Sequence, residues 1–183
     1  MVSQKSGMVK FYAAIASGYE ELYGEEQLKK LSIIADELKP REGNVILDVG
    51  CGIGLSARVF APNRCRLIGI EPCKELAAQA PFEVKIARAE QIPFPDNSFD
   101  FVICVTALHN FDEPSTALKE MGRICKPTGK VAITVLKKAK NASRLTELIR
   151  KMFLIEKELN QEKDFIFVCK KQLKRGIKWN ADI

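Results

Sequence analysis

The chain has 183 residues, of which 46% are hydrophobic, and it carries a formal net charge of +6 with a single histidine. This length and apolar content predict one domain with a packed core. No apolar run approaches the roughly 20 residues that a membrane span needs, and the start of the sequence lacks the pattern of a secretory signal peptide. We therefore expect a soluble, cytoplasmic protein with no membrane partner.

Two segments with helical spacing come first, at residues 7–24 and 25–38, and Pro40 ends the second. Short β-branched, apolar runs then alternate with segments whose apolar spacing is close to 3.6. The strand-like runs cover residues 44–50, 65–71, 82–88, 99–105 and 129–136, and the helix-like segments between them cover 56–62, 73–80 and 114–125. This order predicts a parallel sheet covered by helices on both faces.

The pattern changes after residue 136. Residues 142–153 predict another helix, and residues 153–171 predict two strands whose connection is too short for parallel pairing. We expect an α/β fold: a single doubly wound, Rossmann-like domain with a mostly parallel seven-stranded sheet and an antiparallel last strand. Within the single domain 1–183, residues 1–38 would be N-terminal helices that serve as a lid, 40–171 the core and 172–183 a basic tail.

The turn after the first strand carries three glycines, in the stretch VILDVGCGIGLSAR at residues 45–58. In an open parallel sheet, ligands bind beyond the carboxyl ends of the strands. Gly50, Gly52 and Gly54 permit a positive φ and lack a Cβ atom, so a ligand could lie directly on the backbone amides. The turn is therefore a candidate cofactor site.

The residues around this turn narrow the choice of ligand. A dinucleotide-binding turn would have its third glycine where Leu55 stands. Asp48 would repel a pyrophosphate but suits a ligand that carries a cationic amino group. Glu71 ends the second strand, where a carboxylate can accept hydrogen bonds from ribose hydroxyls. These residues favour a zwitterionic nucleoside ligand over a nicotinamide dinucleotide.

Four segments, in order, resemble the class I S-adenosylmethionine-dependent methyltransferases, particularly the type 11 group. VILDVGCGIG looks like the first motif of that family, and IGIEP resembles its acidic ribose-binding strand end. Residues 89–111 are similar to its adenine loop and fourth strand, and residues 117–134 to the helix and fifth strand that follow. The resemblance spans roughly residues 40–136.

The resemblance implies a cofactor site for S-adenosylmethionine and its product S-adenosylhomocysteine. Asp48 would organise the turn, Glu71 would bind the ribose, and the backbone carbonyl of Cys104 would receive the amino group of the cofactor. The other implied contacts are Gly50, Cys51, Gly52 and Gly54 in the turn, and Pro72, Cys73, Ala89, Glu90 and Ile92 around the adenine. One position departs from the pattern: Arg88 stands where many relatives carry an aspartate. Since arginine offers only donors, Glu90 or a backbone carbonyl would have to recognise the adenine amino group.

The N-terminal aromatic residues and the sole histidine have two interpretations each. Tyr12 and Tyr19 would, by resemblance, cover the sulfonium, a cation that attracts aromatic faces; alternatively, they pack an amphipathic helix on the domain. His109 could act as a general base, or it could be structural, as in many relatives. Methyl transfer needs mainly alignment, so no residue is assigned as catalytic.

The acceptor is expected to lie near four residues after the fourth strand: Thr106, His109, Asn110 and Phe111. Only residues 137–142 occupy the connection where many relatives that methylate small molecules insert a cap, which predicts an open pocket. A small molecule, an RNA such as tRNA, or a protein could be the acceptor, and a partner subunit or a homo-oligomer could complete the site. A non-catalytic S-adenosylmethionine-binding module is the alternative to an enzyme.

The late basic segments and the cysteines complete the sequence-based expectations. Positive charge clusters at residues 137–140 and 170–178, which fits either a phosphate-binding surface or a solvated face. The six cysteines include no C-x-x-C pair and have one histidine to assist them, so we expect reduced thiols and no metal site. They are Cys51, Cys65, Cys73, Cys104, Cys125 and Cys169.

Overall fold

The computed structural model describes residues 4–172 of the chain. Apart from residue 172, the predicted basic tail at 172–183 lies outside these described residues. The strands are β1 (Val45–Val49), β2 (Arg66–Ile70), β3 (Glu83–Lys85), β4 (Phe99–Cys104), β5 (Cys125–Leu136), β6 (Phe153–Asn160) and β7 (Asp164–Lys171). They form one sheet in the order β3-β2-β1-β4-β5-β7-β6.

Two helices precede the sheet and the other four lie between strands, as the sequence pattern predicts. They are α1 (Gln4–Ile15), α2 (Tyr19–Leu38), α3 (Ala57–Phe60), α4 (Lys74–Ala77), α5 (Pro114–Ile124) and α6 (Ala142–Met152), with short 3₁₀ turns at Ala16–Gly18, Ala61–Asn63 and Leu108–Asn110. Within residues 4–172, no helix is long and apolar enough to cross a membrane.

The sheet has the predicted mixture of strand directions. β1 pairs in parallel with β2 and β4, and β5 continues the parallel part beside β4. β7 runs antiparallel to both β5 and β6, and it inserts between them. The expected doubly wound α/β fold with an antiparallel last strand is therefore confirmed. Because β1, β2 and β4 are parallel, the loops that follow them lie together at one edge of the sheet.

Alternate residues of the central strands feed two hydrophobic cores, one on each face of the sheet. Leu47 and Val102 belong to the core that α5 and α6 cover, whereas Ile46 and Ile103 face the core under α2, α3 and α4. All four side chains are fully buried. This burial on both faces explains why the parallel strands are apolar along their whole length.

The boundary between the first two helices differs from the prediction. The break lies at Ala16–Gly18, and α2 continues without interruption through Gly24 and Glu25. A glycine inside a helix costs about 1 kcal/mol relative to alanine, but Gly24 lies on the buried stripe of α2 with Leu31 and Ile34. Packing of this stripe therefore overrides the local preference of the glycine.

Candidate functional site

The glycine turn after β1 has the positive φ angles that its sequence permits. Gly50, Gly52 and Gly54 all have positive φ, at 73°, 55° and 75°. A Cβ atom on Gly50 would lie 2.7 Å from the Cβ of Ala107, and one on Gly52 would lie 3.8 Å from the ring of Tyr19. Side chains are therefore excluded at Gly50 by close packing, and at Gly52 they would intrude on the space beneath the Tyr19 ring.

Gly54 and Cys51, two predicted cofactor residues, pack against neighbouring parts of the chain and do not line the cavity. A Cβ on Gly54 would come within 2.9 Å of Ala80 and Pro81, so this glycine permits close packing of the chain rather than close approach of a ligand. The Cys51 sulfur packs so tightly on Gly69 that a Cβ there would be 2.5 Å from it. Burial raises the pKa of the Cys51 thiol well above its usual value, which leaves it an uncharged, small side chain.

Glu71 ties the turn to the end of β2. Its two carboxylate oxygens accept hydrogen bonds from the amide of Gly52 at 3.1 Å and the amide of Cys73 at 2.9 Å. Burial raises the pKa of Glu71, and these two amides oppose that rise by stabilising the charged form. The carboxylate keeps further lone pairs for hydroxyl donors, so Glu71 can organise the turn and bind a ribose together.

Asp48 lies at the end of β1 and is 5% exposed. Burial raises its pKa to about 7, with the Ser56 hydroxyl acting in the opposite direction and the charge of Glu71 adding to the rise. The carboxylate lines a small space of about 30 Å³ together with Gln27, Ser56 and Tyr19. Asp48 thus sits behind the turn, consistent with the organising role implied by the resemblance.

A cavity of about 800 Å³ lies at the carboxyl edge of the sheet, within the size range of small-molecule sites. It brings together most of the residues predicted from the sequence. Those that line it are Tyr12, Tyr19, Gly50, Gly52, Glu71, Pro72, Cys73, Ala89, Glu90, Thr106, His109, Asn110 and Phe111. One cavity therefore joins the predicted cofactor residues to the predicted acceptor residues.

The structure places five other predicted cofactor residues outside this lining: Asp48, Cys51, Gly54, Ile92 and Cys104. The Ile92 side chain is buried in the core, while its amide donates to Glu120 at 2.8 Å and its carbonyl accepts from Arg123 at 2.9 Å. Cys104 is fully buried at the end of β4. Ile92 and Cys104 thus shape the loops that carry lining residues.

The N-terminal tyrosines Tyr12 and Tyr19 line the cavity. The Asn110 side-chain amide donates to the Tyr12 hydroxyl at 2.9 Å, which links α1 to the loop after β4. The ring centroids of Tyr12 and Tyr19 are 6.1 Å apart, and the Tyr23 ring continues the row at 5.2 Å from Tyr19. Burial raises the pKa of Tyr12 and of Tyr19, so both phenols stay neutral.

Arg88, the position that departs from the family pattern, forms ion pairs at the rim of the cavity. Its guanidinium contacts the carboxylates of Asp112 and Glu90. Glu90 also accepts the backbone amide of Asp112 at 3.0 Å. Arg88 therefore joins the loop after β3 to the loop after β4, and it pairs with Glu90, one of the two predicted alternatives for recognising the adenine amino group; the other is a backbone carbonyl.

The predicted acceptor residue Thr106 is held by residues that the sequence did not single out. Thr106 follows β4 with a φ of 53°, and its amide donates to the Thr134 hydroxyl at 2.7 Å. The Lys30 ammonium donates to the Thr106 hydroxyl at 3.0 Å and pairs with Asp164 at 2.7 Å. In the structure, Lys30 lies on the buried face of α2 with Leu31 and Ile34, but no motif in the sequence marks it.

No group of three or more His, Cys, Asp or Glu side chains within residues 4–172 is arranged to hold a metal ion.

His109 lines the cavity, and burial lowers its pKa, which favours the neutral ring. The site therefore offers neutral phenols, a neutral imidazole, bare amides and buried carboxylates. Such groups can bind and orient a zwitterionic nucleoside, and they can accept a proton from a second ligand.

Comparison with known proteins agrees with this geometry. Residues 47–133 match the methyltransferase domain family. The uncharacterized methyltransferase YcgJ of Bacillus subtilis is 29% identical over 124 residues, which cover 60% of this chain and 49% of the relative. The ubiquinone/menaquinone biosynthesis C-methyltransferase UbiE of Cupriavidus metallidurans is 32% identical over 151 residues, which cover 72% of this chain and 61% of the relative. The chain spans about half the length of the first of these relatives and about three fifths of the second.

The fold also matches a chain from the solved complex between the Haloferax volcanii Trm112 methyltransferase activator and its methyltransferase. The TM-score is 0.76 at 15% identity, with 87% of this chain and 97% of that chain covered. The bare turn at Gly52, the Glu71 carboxylate and the cavity volume fit S-adenosylmethionine, the cofactor of the family. Sheet order, site geometry and the match over residues 47–133 together identify this part of the chain as an S-adenosylmethionine-dependent methyltransferase domain.

Proposed function

We propose that the protein transfers a methyl group from S-adenosylmethionine to an acceptor bound beside Thr106 and His109, by direct in-line displacement. The observation that carries this proposal is the shared cavity, in which the Gly50–Gly52 turn and the Glu71 carboxylate face the same space as the acceptor residues. The match to the methyltransferase domain family supports it.

The chain's own residues would bind and align the reactants. When bound, S-adenosylmethionine supplies an electrophilic methyl group on a positively charged sulfur. Gly52 admits the ligand to the backbone, Glu71 offers lone pairs to the ribose, and the Tyr19 ring lies over the turn, where its face attracts a cation. Alignment of this kind accounts for much of the rate of such a transfer, so no nucleophilic side chain is required.

Isothermal titration calorimetry with S-adenosylmethionine and S-adenosylhomocysteine tests the cofactor site. Gly52→Ala should weaken binding by at least about tenfold, which corresponds to about 1.4 kcal/mol, because the added methyl group enters the space beneath Tyr19. Gly43→Ala is the matched control, since Gly43 also has a positive φ, of 83°, but has no atom within 4 Å of an added Cβ. Failure of the unaltered protein to bind either compound would reject the proposal.

Not all lysines of the basic segment at 137–140 are free to contact an RNA acceptor. The Lys137 ammonium is held by the carbonyls of Gln161 and Glu162 and lies 5.1 Å from the Phe165 ring centroid. Lys138 and Lys140 are exposed, and Lys140 lines the cavity. We therefore assign any phosphate contact to Lys138 and Lys140, while a small-molecule acceptor needs neither.

Binding of a tRNA pool at increasing salt distinguishes these acceptor classes. If RNA is the acceptor, the double variant Lys138→Glu/Lys140→Glu should lose affinity and show a shallower salt dependence than the unaltered protein. The double variant Lys39→Glu/Lys119→Glu makes the same charge change at exposed positions elsewhere and should behave like the unaltered protein. Equal binding by all three proteins would favour the small-molecule acceptor.

A cofactor-binding module that needs a partner subunit, or that works as a homo-oligomer, is the second candidate. The fold neighbour from Haloferax volcanii was solved in complex with an activator, and Phe11 and Leu22 on the N-terminal helices are 49% and 62% exposed. Incubation with methyl-labelled cofactor and fractionated cell extract separates the possibilities. Label uptake with one fraction identifies the acceptor, whereas uptake only with two combined fractions indicates a partner. Light scattering reports the oligomeric state.

The cysteines support the expected cytoplasmic location. All six are free thiols in the structure, and five of them are buried. Free thiols of this kind are usual in reducing compartments and unusual in secreted proteins. Thiol counting on protein isolated without reductant would test the proposal, since oxidised pairs would contradict it.

A further inference from the structure

A buried polar cluster lies beneath the acceptor end of the cavity, with Lys30 at its centre. The Lys30 ammonium, on a side chain 6% exposed, uses its donors on Glu26 at 2.8 Å, Asp164 Oδ2 at 2.7 Å and Thr106 Oγ1 at 3.0 Å. An ammonium group has three donors, so these contacts saturate it. Lys30 therefore has no hydrogen left for the second oxygen of Asp164.

Two buried polar atoms near this cluster lack a hydrogen-bond partner among the described residues: Asp164 Oδ1 and His109 Nδ1. A buried polar atom without a partner is costly, and most such atoms in native proteins have one. A carboxylate oxygen can only accept, and a neutral imidazole nitrogen can donate if it carries the proton. The two atoms are therefore complementary.

The fold brings both residues next to β5. Asp164 begins β7 and pairs with Leu136 at the end of β5, and the short helix that carries His109 packs against β5. The charged groups that act on the His109 ring are Asp164, which favours its protonation, and Lys30 and Lys138, which oppose it. Asp164 lies outside the cavity lining, whereas His109 forms part of it.

We propose that Asp164 is a positioning residue that accepts the Nδ1 proton of His109, directly or through one water molecule, and so presents Nε2 of His109 to the acceptor as a base. This inference rests on the proposed methyl transfer. This hydrogen bond would give a partner to both Asp164 Oδ1 and His109 Nδ1, and it would give the buried Lys30–Asp164 pair a role at the site. A carboxylate behind an imidazole fixes its tautomer and supports its charge when it gains a proton.

The arrangement selects acceptors that lose a proton as they are methylated, from an O–H or an N–H group. That proton passes to Nε2, while the electron pair of the broken bond stays on the acceptor oxygen or nitrogen. The ring becomes an imidazolium, whose charge the Asp164 carboxylate offsets, and the proton then leaves to water. Burial lowers the pKa of His109, so the ring is neutral and able to accept near neutral pH.

Because His109 is the sole histidine of the sequence, its ring can be observed alone by ¹⁵N NMR of histidine-labelled, tag-free protein. The ¹⁵N shifts of a neutral ring show which nitrogen carries the proton. We expect the Nδ1–H form in the unaltered protein. A neutral ring protonated on Nε2, or an even mixture, would overturn the proposal without any variant.

Two variants of the same ion pair sharpen the test. Asp164→Asn should abolish the preference for the Nδ1–H form and lower the pKa of His109, whereas Lys30→Gln should keep the preference and raise that pKa. Both variants lose the Lys30–Asp164 charge pair. If that pair had only a structural role, both variants would change the tautomer and the pKa of His109 in the same way, and that result would count against the proposal. The signal needs neither cofactor nor acceptor, so it is independent of the calorimetric test of the proposed function.

Discussion

At the proposed cofactor end of the cavity, the turn at residues 50–52 is held by Glu71, only nineteen positions after Gly52. At the proposed acceptor end, side chains that are far apart in sequence meet: Lys30 contacts Thr106 at a separation of 76, and Tyr12 contacts Asn110 at a separation of 98. The first end is encoded by local conformation, and the second exists only when distant elements are packed. The two ends should therefore respond differently to substitution.

Removal of Lys30 should separate the two ends most strongly. Lys30→Met leaves Asp164 buried without its counter-charge, so the free energy of unfolding should fall by about 3–5 kcal/mol. Cofactor affinity of the folded protein should stay within about twofold, because Lys30 does not contact the turn. Urea denaturation and calorimetry measure the two quantities. Lys29→Met, at a side chain 72% exposed, should change neither the stability nor the affinity. If Lys30→Met also weakened cofactor binding by more than about twofold, the two ends of the cavity would be coupled.

Substitution of Glu71 should mainly weaken cofactor binding. Glu71→Gln removes the charge that strengthens the hydrogen bonds with the amides of Gly52 and Cys73, and it replaces one of the two acceptor oxygens with an amide donor. Affinity for S-adenosylhomocysteine should fall by about 10- to 100-fold, equivalent to ~1.5–3 kcal/mol. Glu75→Gln, at an exposed position four residues later, should bind normally in the same calorimetric assay. Unchanged affinity with Glu71→Gln would remove this residue from the cofactor site.

Asp48 should make stability depend on pH. Its pKa is about 7 in the folded protein against an ordinary value of 3.8, so the folded state holds a proton that the unfolded state has lost. The free energy of unfolding should therefore fall as the pH rises from about 4 to about 7, by up to about 1.4 kcal/mol per pH unit. Asp48→Asn should flatten this slope in urea denaturation at a series of pH values. An unchanged slope would mean that Asp48 remains charged.

The smallest effect is expected at the N-terminal tyrosines. Tyr12→Phe removes the hydrogen bond from Asn110 that joins α1 to the acceptor loop, at a cost of about 0.5–1.5 kcal/mol. Thermal unfolding measures the loss. Tyr23→Phe is the control, since the Tyr23 ring is 39% exposed and no bond to the acceptor loop is removed. Equal shifts in both variants would argue against a specific link through Tyr12.

The cofactor end could be predicted from the sequence because its determinants are local. Three glycines after an apolar strand, with an acidic residue at the next strand end, require no knowledge of tertiary packing. The positive φ angles of Gly50 and Gly52 agree with this expectation. Even here, the sequence could not show that Gly54 faces Ala80 and Pro81, because that contact depends on where the chain returns.

The acceptor end could not be assembled in the same way. Lys30 occurs in a helix with many charged residues, and nothing in the local sequence shows that its ammonium reaches a strand far along the chain. Arg88 is similar: its pairing with Asp112 depends on how two loops approach at the sheet edge. The end of the first helix was also misplaced, since Gly24 is tolerated within α2 by burial that only the fold reveals.

The insertion of β7 between β5 and β6 has a consequence for how the protein is made. During translation, residues 45–73, which supply the glycine turn and Glu71, leave the ribosome long before Asp164 does. β6 also lacks its pairing strand until β7 has been synthesised. A nascent chain could therefore shape its nucleoside-binding turn early, whereas the Lys30 charge pair and the environment of His109 would come into being only as translation nears the end of the sheet.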